Sequence, residues 1–224
     1  MNKQNNVLPW SYSSLDAYNT CPRRYYLTKV AKLVKEPQTE ATISGNEVHK
    51  ALENHVGGSA PLPEKYNSYR DIANKVKLTG GKKLLEYKFG LTRGLKPTEF
   101  FAKDAWVRGV LDVCIVRPKE AIVLDWKTGK RKIDHEQLRL FAGAALCLWP
   151  YVEKVKTGYV WLKSGELDTQ EFTPEDKTPI FQDFAANVHR LESSAKEDKW
   201  PARPSGLCRQ WCPVGRQNCE HCGV

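Results

Sequence analysis

Two apolar runs joined by a four-residue turn constrain this chain more than any other feature. Gly109 to Val116 (GVLDVCIV) and Ala121 to Thr128 (AIVLDWKT) are rich in Val, Leu and Ile, and Arg117-Pro118-Lys119-Glu120 connects them. Short runs of this kind, bounded by a turn, read as paired strands inside a sheet. Each run carries one acid, Asp112 and Asp125, and the second carries Lys127 two residues further on. Side chains at i and i+2 of a strand share a face, so Asp125 and Lys127 look into the same space, and a hairpin partner can bring Asp112 beside them. Asp-x-Lys alone is a common tripeptide and reads most simply as a surface pair at a strand end. Its setting argues otherwise, because a carboxylate inside an apolar strand costs several kcal/mol unless it finds a partner. A metal ion is one such partner. Two acids and a lysine then suit metal-assisted attack of water on a phosphodiester.

The flanking sequence places this hairpin in an α/β or α+β sheet covered by helices. Ser11 or Ser13 caps a helix through Tyr18, Pro22 interrupts it, and Arg23 to Leu27 resumes as a basic, aromatic helix. Thr42 to Glu53 reads as a helix with Val48, Leu52 and His55 on one side, followed by a Gly- and Pro-rich loop, Gly57 to Pro63. The strand candidates are Glu86–Leu91, Ala105–Val116 and Ala121–Thr128. Glu136 to Trp149 is an amphipathic helix closed by Pro150. Thr157–Leu162 and Thr169–Phe172 form a strand and its hairpin partner, and Pro174 to Lys199 is a long helix with Ile180, Phe184, Val188 and Leu191 as its buried stripe. We expect one domain over residues 1–200 and a Cys-rich tail over 201–224.

The chain has 224 residues and a formal net charge of +9, which suits a polyanionic partner, most simply nucleic acid. No run approaches a membrane span, and Met1 to Val7 is polar, so neither membrane insertion nor secretion is expected. Hydrolysis of a phosphodiester needs a nucleophilic water and charge at the phosphoryl group, which Mg²⁺ or Mn²⁺ held by oxygen ligands supplies. Asp112, Asp125 and the Trp126 carbonyl can offer those ligands, and Lys127 can orient the water or neutralise developing charge. Glu86 reads either as a further acid near the site or as an exposed strand residue.

The order of motifs resembles the PD-(D/E)XK nuclease superfamily, specifically its RecB-like exonuclease branch. Gly45-Asn46-Glu47-Val48-His49-Lys50-Ala51-Leu52-Glu53 matches its Gly-x-x-x-His-x-x-Leu-Glu helix. Gly109-Val110-Leu111-Asp112 matches Gly-x-x-Asp, Asp125-Trp126-Lys127 matches Asp-x-Lys, and Gln137-Leu138-Arg139-Leu140-Phe141 matches Gln-x-x-x-Tyr with Phe141 in place of the Tyr. The likeness runs from Ser11 to Cys219. It implies a restriction-endonuclease-like core with a central mixed sheet. It also implies a metal held by His49, Asp112 and Asp125, a catalytic Lys127, and a Gln137 that supports the site or the DNA.

Seven cysteines divide into three kinds. Cys114 and Cys147 lie in apolar runs and read as core residues. Cys21 stands alone near the start, and Cys208, Cys212, Cys219 and Cys222 crowd the tail, where a reducing compartment favours a metal site over disulfides. Relatives of CRISPR-adaptation and AddB-type nucleases carry a 4Fe–4S iron–sulfur cluster on one Cys before the core and three after it. Here the resemblance assigns Cys21, Cys208, Cys212 and Cys219. The alternative is Zn²⁺ in the tail, on Cys208, Cys212, Cys219 and Cys222.

Basic residues near the motifs, Lys130, Arg131 and Lys132, read as phosphate contacts, and Arg23 and Arg24 join them as candidates for nucleic-acid binding. Tyr25 and Tyr26 read as core. The resulting expectation is a Mg²⁺- or Mn²⁺-dependent DNA exonuclease acting on single-stranded ends in the cytoplasm of a bacterium or a phage-infected host, alongside recombination or replication proteins. A catalytically idle DNA-binding subunit carrying a structural cluster, and an RNA nuclease, are the alternatives.

Overall fold

The two apolar runs form β3 (Val107–Val116) and β4 (Glu120–Lys127), paired antiparallel with Val113 opposite Leu124 and Val116 opposite Ala121. β1 (Lys82–Leu91) pairs along the other side of β3, and the two-residue β2 (Pro97–Thr98) flanks β1. β5 (Lys154–Trp161) runs parallel to β4, and β6 (Glu166–Phe172) pairs antiparallel with β5. The order is β2-β1-β3-β4-β5-β6. The single parallel step requires a crossover, which α5 (Glu136–Leu148) supplies. The result is the mixed, helix-flanked α/β sheet that the sequence leads one to expect.

The computed structural model describes residues 8–131 and 134–223. These divide into two compact units, one over Thr39–Phe181 and one made from the chain ends, up to Gln38 and from Gln182 onward. In the first unit, Thr39 caps α3 (Glu40–Gly57) by accepting the Thr42 N–H, and Gly58, at φ +80°, ends it in the left-handed conformation that glycine tolerates. Val48, Leu52 and Val56 of α3 pack with Val113, Ile115, Leu124, Trp126 and Val160 of the sheet. Full burial of a side chain such as Leu52 is worth about 1.5–3 kcal/mol. His55 belongs to this packing, with Nδ1 accepting the Leu62 N–H and Nε2 bonded to Asn74 Oδ1. α4 (Arg70–Leu78) adds Ala73 and Val76 to the same cluster; its apolar pattern is too thin to stand out in the sequence.

In the second unit, Ser11 caps α1 (Tyr12–Thr20) through a reciprocal box with Ser14. Cys21 breaks that helix, and α2 (Pro22–Tyr25) passes into one wide π turn, Tyr26–Val30. Tyr18, Tyr25 and Tyr26 gather round Trp200, with Tyr26 stacked on it at 5.2 Å. Tyr25 is thus core, as expected. The last helix, α6 (Lys177–Glu197), begins in the first unit and continues into the second. Its stripe of Ile180, Phe184, Val188 and Leu191 is buried. Among the described residues, no helix is long and apolar enough to cross a membrane.

Candidate active site and cysteine pocket

The acids meet because β3 and β4 part where they stand. Val113 and Leu124 are the last paired residues, and the next residue on each strand is Asp112 and Asp125. The Trp126 N–H donates to Asp112 Oδ2 at 2.9 Å. Trp126 itself is buried and anchors this end of β4 in the core. From α3, the His49 ring spans the fork: Nδ1 lies 3.3 Å from Asp112 Oδ2, and Nε2 lies 2.9 Å from the Trp126 carbonyl oxygen.

Glu86 completes the group from the other side. It falls between the pairs Leu85–Val113 and Tyr87–Leu111, opposite Asp112 on the neighbouring strand. Its backbone is left-handed, φ +47°, a conformation that costs a residue with a Cβ about 1–2 kcal/mol. Strain of that kind is held in place only where surrounding structure over-determines it, and it clusters at functional sites. Ligand atoms of His49, Glu86 and Asp112 all lie within 4.8 Å of one another. In the sequence alone, Glu86 fits a site acid and a surface residue equally. The cross-strand register is the signal that distinguishes them.

A second network adjoins the first. Asp125 is buried, with Lys127 Nζ 2.6 Å from Oδ2. Gln137, in the first turn of α5, donates through Nε2 to Asp125 Oδ1 at 3.1 Å and accepts from Lys127 Nζ through Oε1 at 2.9 Å. One amide thereby holds both members of the ion pair. The Lys127 ammonium also sits 4.8 Å from the centre of the Tyr159 ring. The Tyr159 hydroxyl reaches Gln137 Oε1 at 3.5 Å. Phe141, which replaces the expected Tyr, is buried edge-on against Phe89. A Cβ on Gly109 would fall 2.7 Å from the Phe89 ring, so the glycine of the Gly-x-x-Asp stretch makes room for that ring.

The electrostatics favour a cation. Burial, and then the charge of Asp112, push the Asp125 carboxyl above the usual carboxylate range, against the pull of Lys127 and His49. Burial and Asp112 also raise Glu86. Burial lowers the His49 imidazole, but its bond to Asp112 and the charges of Asp112, Asp125 and Glu86 together outweigh that and raise it. Asp125 Oδ2 is enclosed without an aligned hydrogen bond, its contact with Lys127 being ionic. Three carboxylates and an imidazole in adjoining networks, with a buried oxygen in excess of its donors, fit a divalent metal ion.

Arg131 Nε donates to Asp168 Oδ2 at 2.9 Å, and its guanidinium also pairs with Glu166. Lys130 is exposed, and Lys132 lies outside the described residues. Arg23 donates to the Asn218 carbonyl, and Arg24 pairs with Glu36. Both guanidiniums are thus engaged within the chain-end unit.

That unit contains one small cavity lined by Cys21, Cys208, Cys212, Cys219 and Cys222, with Arg23, Arg24, Arg203 and His221 also on its wall. The Arg203 N–H donates to Cys21 Sγ at 3.4 Å and the Ser205 N–H to Cys208 Sγ at 3.5 Å. Burial, then Cys212 and Cys219 beside it, push the Cys222 thiol up to about 12. Cationic walls and N–H groups aimed at sulfur are what a set of thiolates requires. Cys114 and Cys147 are buried elsewhere, as expected of core residues.

Among solved structures, the chain resembles a protein described as a "putative exonuclease" from Eubacterium rectale, with a TM-score of 0.57 and 11% identity over 94% of this chain and 92% of that one. It also aligns with the crystal structure of SSO0001, with a TM-score of 0.48 and 18% identity over 96% of this chain and 86% of that one. No curated protein matches it. The family model of the PD-(D/E)XK nuclease superfamily matches residues 9–220. With nearly the whole chain matched, and with acids, lysine and glutamine joined in one network on a mixed sheet, this protein belongs to the PD-(D/E)XK nuclease superfamily.

Proposed function

We propose that the chain is a Mg²⁺- or Mn²⁺-dependent exonuclease that hydrolyses phosphodiester bonds at the ends of single-stranded DNA, in phage or bacterial recombination or repair. The observation that carries this reading is the meeting of His49, Glu86 and Asp112 within 4.8 Å, beside the Asp125–Lys127–Gln137 network. PD-(D/E)XK nucleases use divalent metals, and a mixed nitrogen and oxygen donor set suits Mn²⁺ or Mg²⁺. The net charge of +9 complements a polyanionic strand.

His49, Glu86 and Asp112 would hold the ion, with Asp125 and the Trp126 carbonyl beside them. When bound, a divalent cation supplies Lewis-acid charge at the phosphoryl oxygens and acidifies a water. The remaining work falls to side chains. The Trp126 carbonyl fixes the orientation of the His49 ring. Asp125 and Gln137 hold the Lys127 ammonium in place, and the Tyr159 ring backs it. Lys127 then hydrogen-bonds the attacking water and neutralises charge developing on the phosphoryl oxygens. Phe141 leaves this network intact, because Gln137 is held by Lys127 and Asp125 rather than by residue 141.

The reading extends to the chain ends, where Cys21, Cys208, Cys212 and Cys219 would hold a 4Fe–4S cluster. Its support is the single cavity shared by these cysteines and the N–H groups on Cys21 and Cys208. Cys222 lies beside Cys212 and Cys219 and competes for the fourth place. Iron or zinc content of protein purified without oxygen, with its visible absorbance, separates the cluster from tail zinc. The nuclease reading is tested on end-labelled single- and double-stranded DNA and matched RNA with Mn²⁺, Mg²⁺ or EDTA. Metal-dependent shortening of DNA single strands from an end is expected. Absence of cleavage with either metal overturns the reading.

A further inference from the structure

The sheet face that carries the acids continues into a basic and aromatic surface. Arg108 stands four residues before Asp112 on β3, on the same face and about 13 Å away. Lys88 stands two residues beyond Glu86 on β1, and the register places it opposite Val110, between Arg108 and Asp112. The turn after β2 sets Phe100 and Phe101 edge-to-face at 4.8 Å. The Arg108 guanidinium lies 5.2 Å from the centre of the Phe100 ring and 5.9 Å from that of Phe101, and Lys88 Nζ lies 6.0 Å from Phe100.

One exposed ring is ordinary on a protein surface. Three observations set this one apart. Phe101 is 78% exposed yet fixed in position by a second ring and a guanidinium. Among the described residues, neither Arg108 nor Lys88 pairs with a carboxylate, although Glu99 and Asp104 lie in the same turn, Asp104 accepting the Thr98 hydroxyl. The turn is also held against β1: a Cβ on Gly90 would fall 2.7 Å from the Glu99 carbonyl oxygen, so only glycine lets it lie that close.

We propose that Phe101, backed by Phe100, Arg108 and Lys88, is a landing surface for an unpaired nucleic-acid strand on its way to the acid cluster, a proposal that rests on the nuclease reading above. An exposed ring offers its face to a base only if that base is unpaired, and the two cations beside the ring pair neutralise phosphates of the same strand. The surface therefore distinguishes single strands from duplex by stacking, not by sequence.

The test measures affinity for a fluorescein-labelled oligo-dT by anisotropy, with EDTA present to suppress cleavage. Phe101→Ala is expected to weaken binding roughly 5- to 150-fold, and Phe101→Trp to restore it. Arg108→Ala and Lys88→Ala should each lower the salt dependence of binding by about 0.7 in slope. Affinity for a blunt duplex should be unchanged by Phe101→Ala. Equal affinities for wild type and Phe101→Ala, in protein that cleaves the oligonucleotide with Mn²⁺, would overturn this proposal and leave the nuclease reading standing. An equal loss on the duplex would overturn the single-strand assignment. A wild-type chain that neither binds nor cleaves would overturn both.

Discussion

Replacing Glu86 with Gln should invert the stability ranking of variant and wild type when metal is added. Glu86 is half-buried opposite Asp112, and both carboxylates face the same small space. Without metal, Glu86→Gln removes a like-charge contact worth about 0.2–1 kcal/mol and leaves the side-chain volume unchanged. The variant should then melt about 0.4–4 °C above wild type, since each kcal/mol moves a chain of this size about 2–4 °C. With Mn²⁺ at a hundred times its dissociation constant, wild type gains about 2.7 kcal/mol by mass action. Losing even an outer-shell partner of a metal typically weakens affinity 10–100-fold, and loss of a ligand should cost at least as much. The variant's gain then falls to between about 1.4 and 0.4 kcal/mol at the same concentration. Wild type should therefore rise by about 5–11 °C and the variant by about 1–6 °C. Melting curves in EDTA and across a Mn²⁺ titration measure both. Equal metal-induced shifts in the two proteins would show that Glu86 is not part of a metal site.

Further outcomes follow from the same geometry. Lys127→Met should reduce cleavage by about 10²–10⁴-fold, the range for loss of a positioned proton-handling group, with an unchanged circular-dichroism spectrum; retention of most activity would refute its role. Gly109→Ala gains about 0.4–1 kcal/mol from the unfolded chain but drives a methyl into the Phe89 ring at a cost of about 1–3 kcal/mol. The net is a lower melting temperature, which Phe89→Leu in the same chain should partly cancel; strictly additive effects would argue against the clash. Cys21→Ser should remove visible absorbance and iron from anaerobically purified protein, whereas tail-bound zinc would be retained in full.

The parts of this molecule legible in its sequence are those set by periodicity. The hairpin of β3 and β4, the helix α5 and the buried stripe of α6 follow from apolar spacing. Asp112, Asp125 and Lys127 stood out because charge interrupts that spacing. Glu86 did not, since Glu86-Tyr87-Lys88-Phe89 alternates like any edge-exposed strand. Only the pairing of β1 with β3 puts it opposite Asp112, and register between distant strands is not a local property. Basic side chains find partners that the sequence does not announce. Arg131 sits beside the motif in sequence, yet β6 offers it Asp168 and Glu166. The cations beside exposed rings, Lys88 and Arg108, lie on strands where nothing in the sequence distinguishes them.

The chain-end unit has a consequence for how the protein is made. Cys21 and the residues that share its pocket, Cys208 to Cys222, are far apart in the sequence. At synthesis rates of about 5–20 residues per second, Cys21 is added to the chain roughly 10–40 s before Cys208. In that interval the sheet unit can complete itself, while the first helices wait, thiol uncovered, for the strand of chain that closes over them. Loss of the residues from Cys208 onward would therefore leave Cys21 without its pocket.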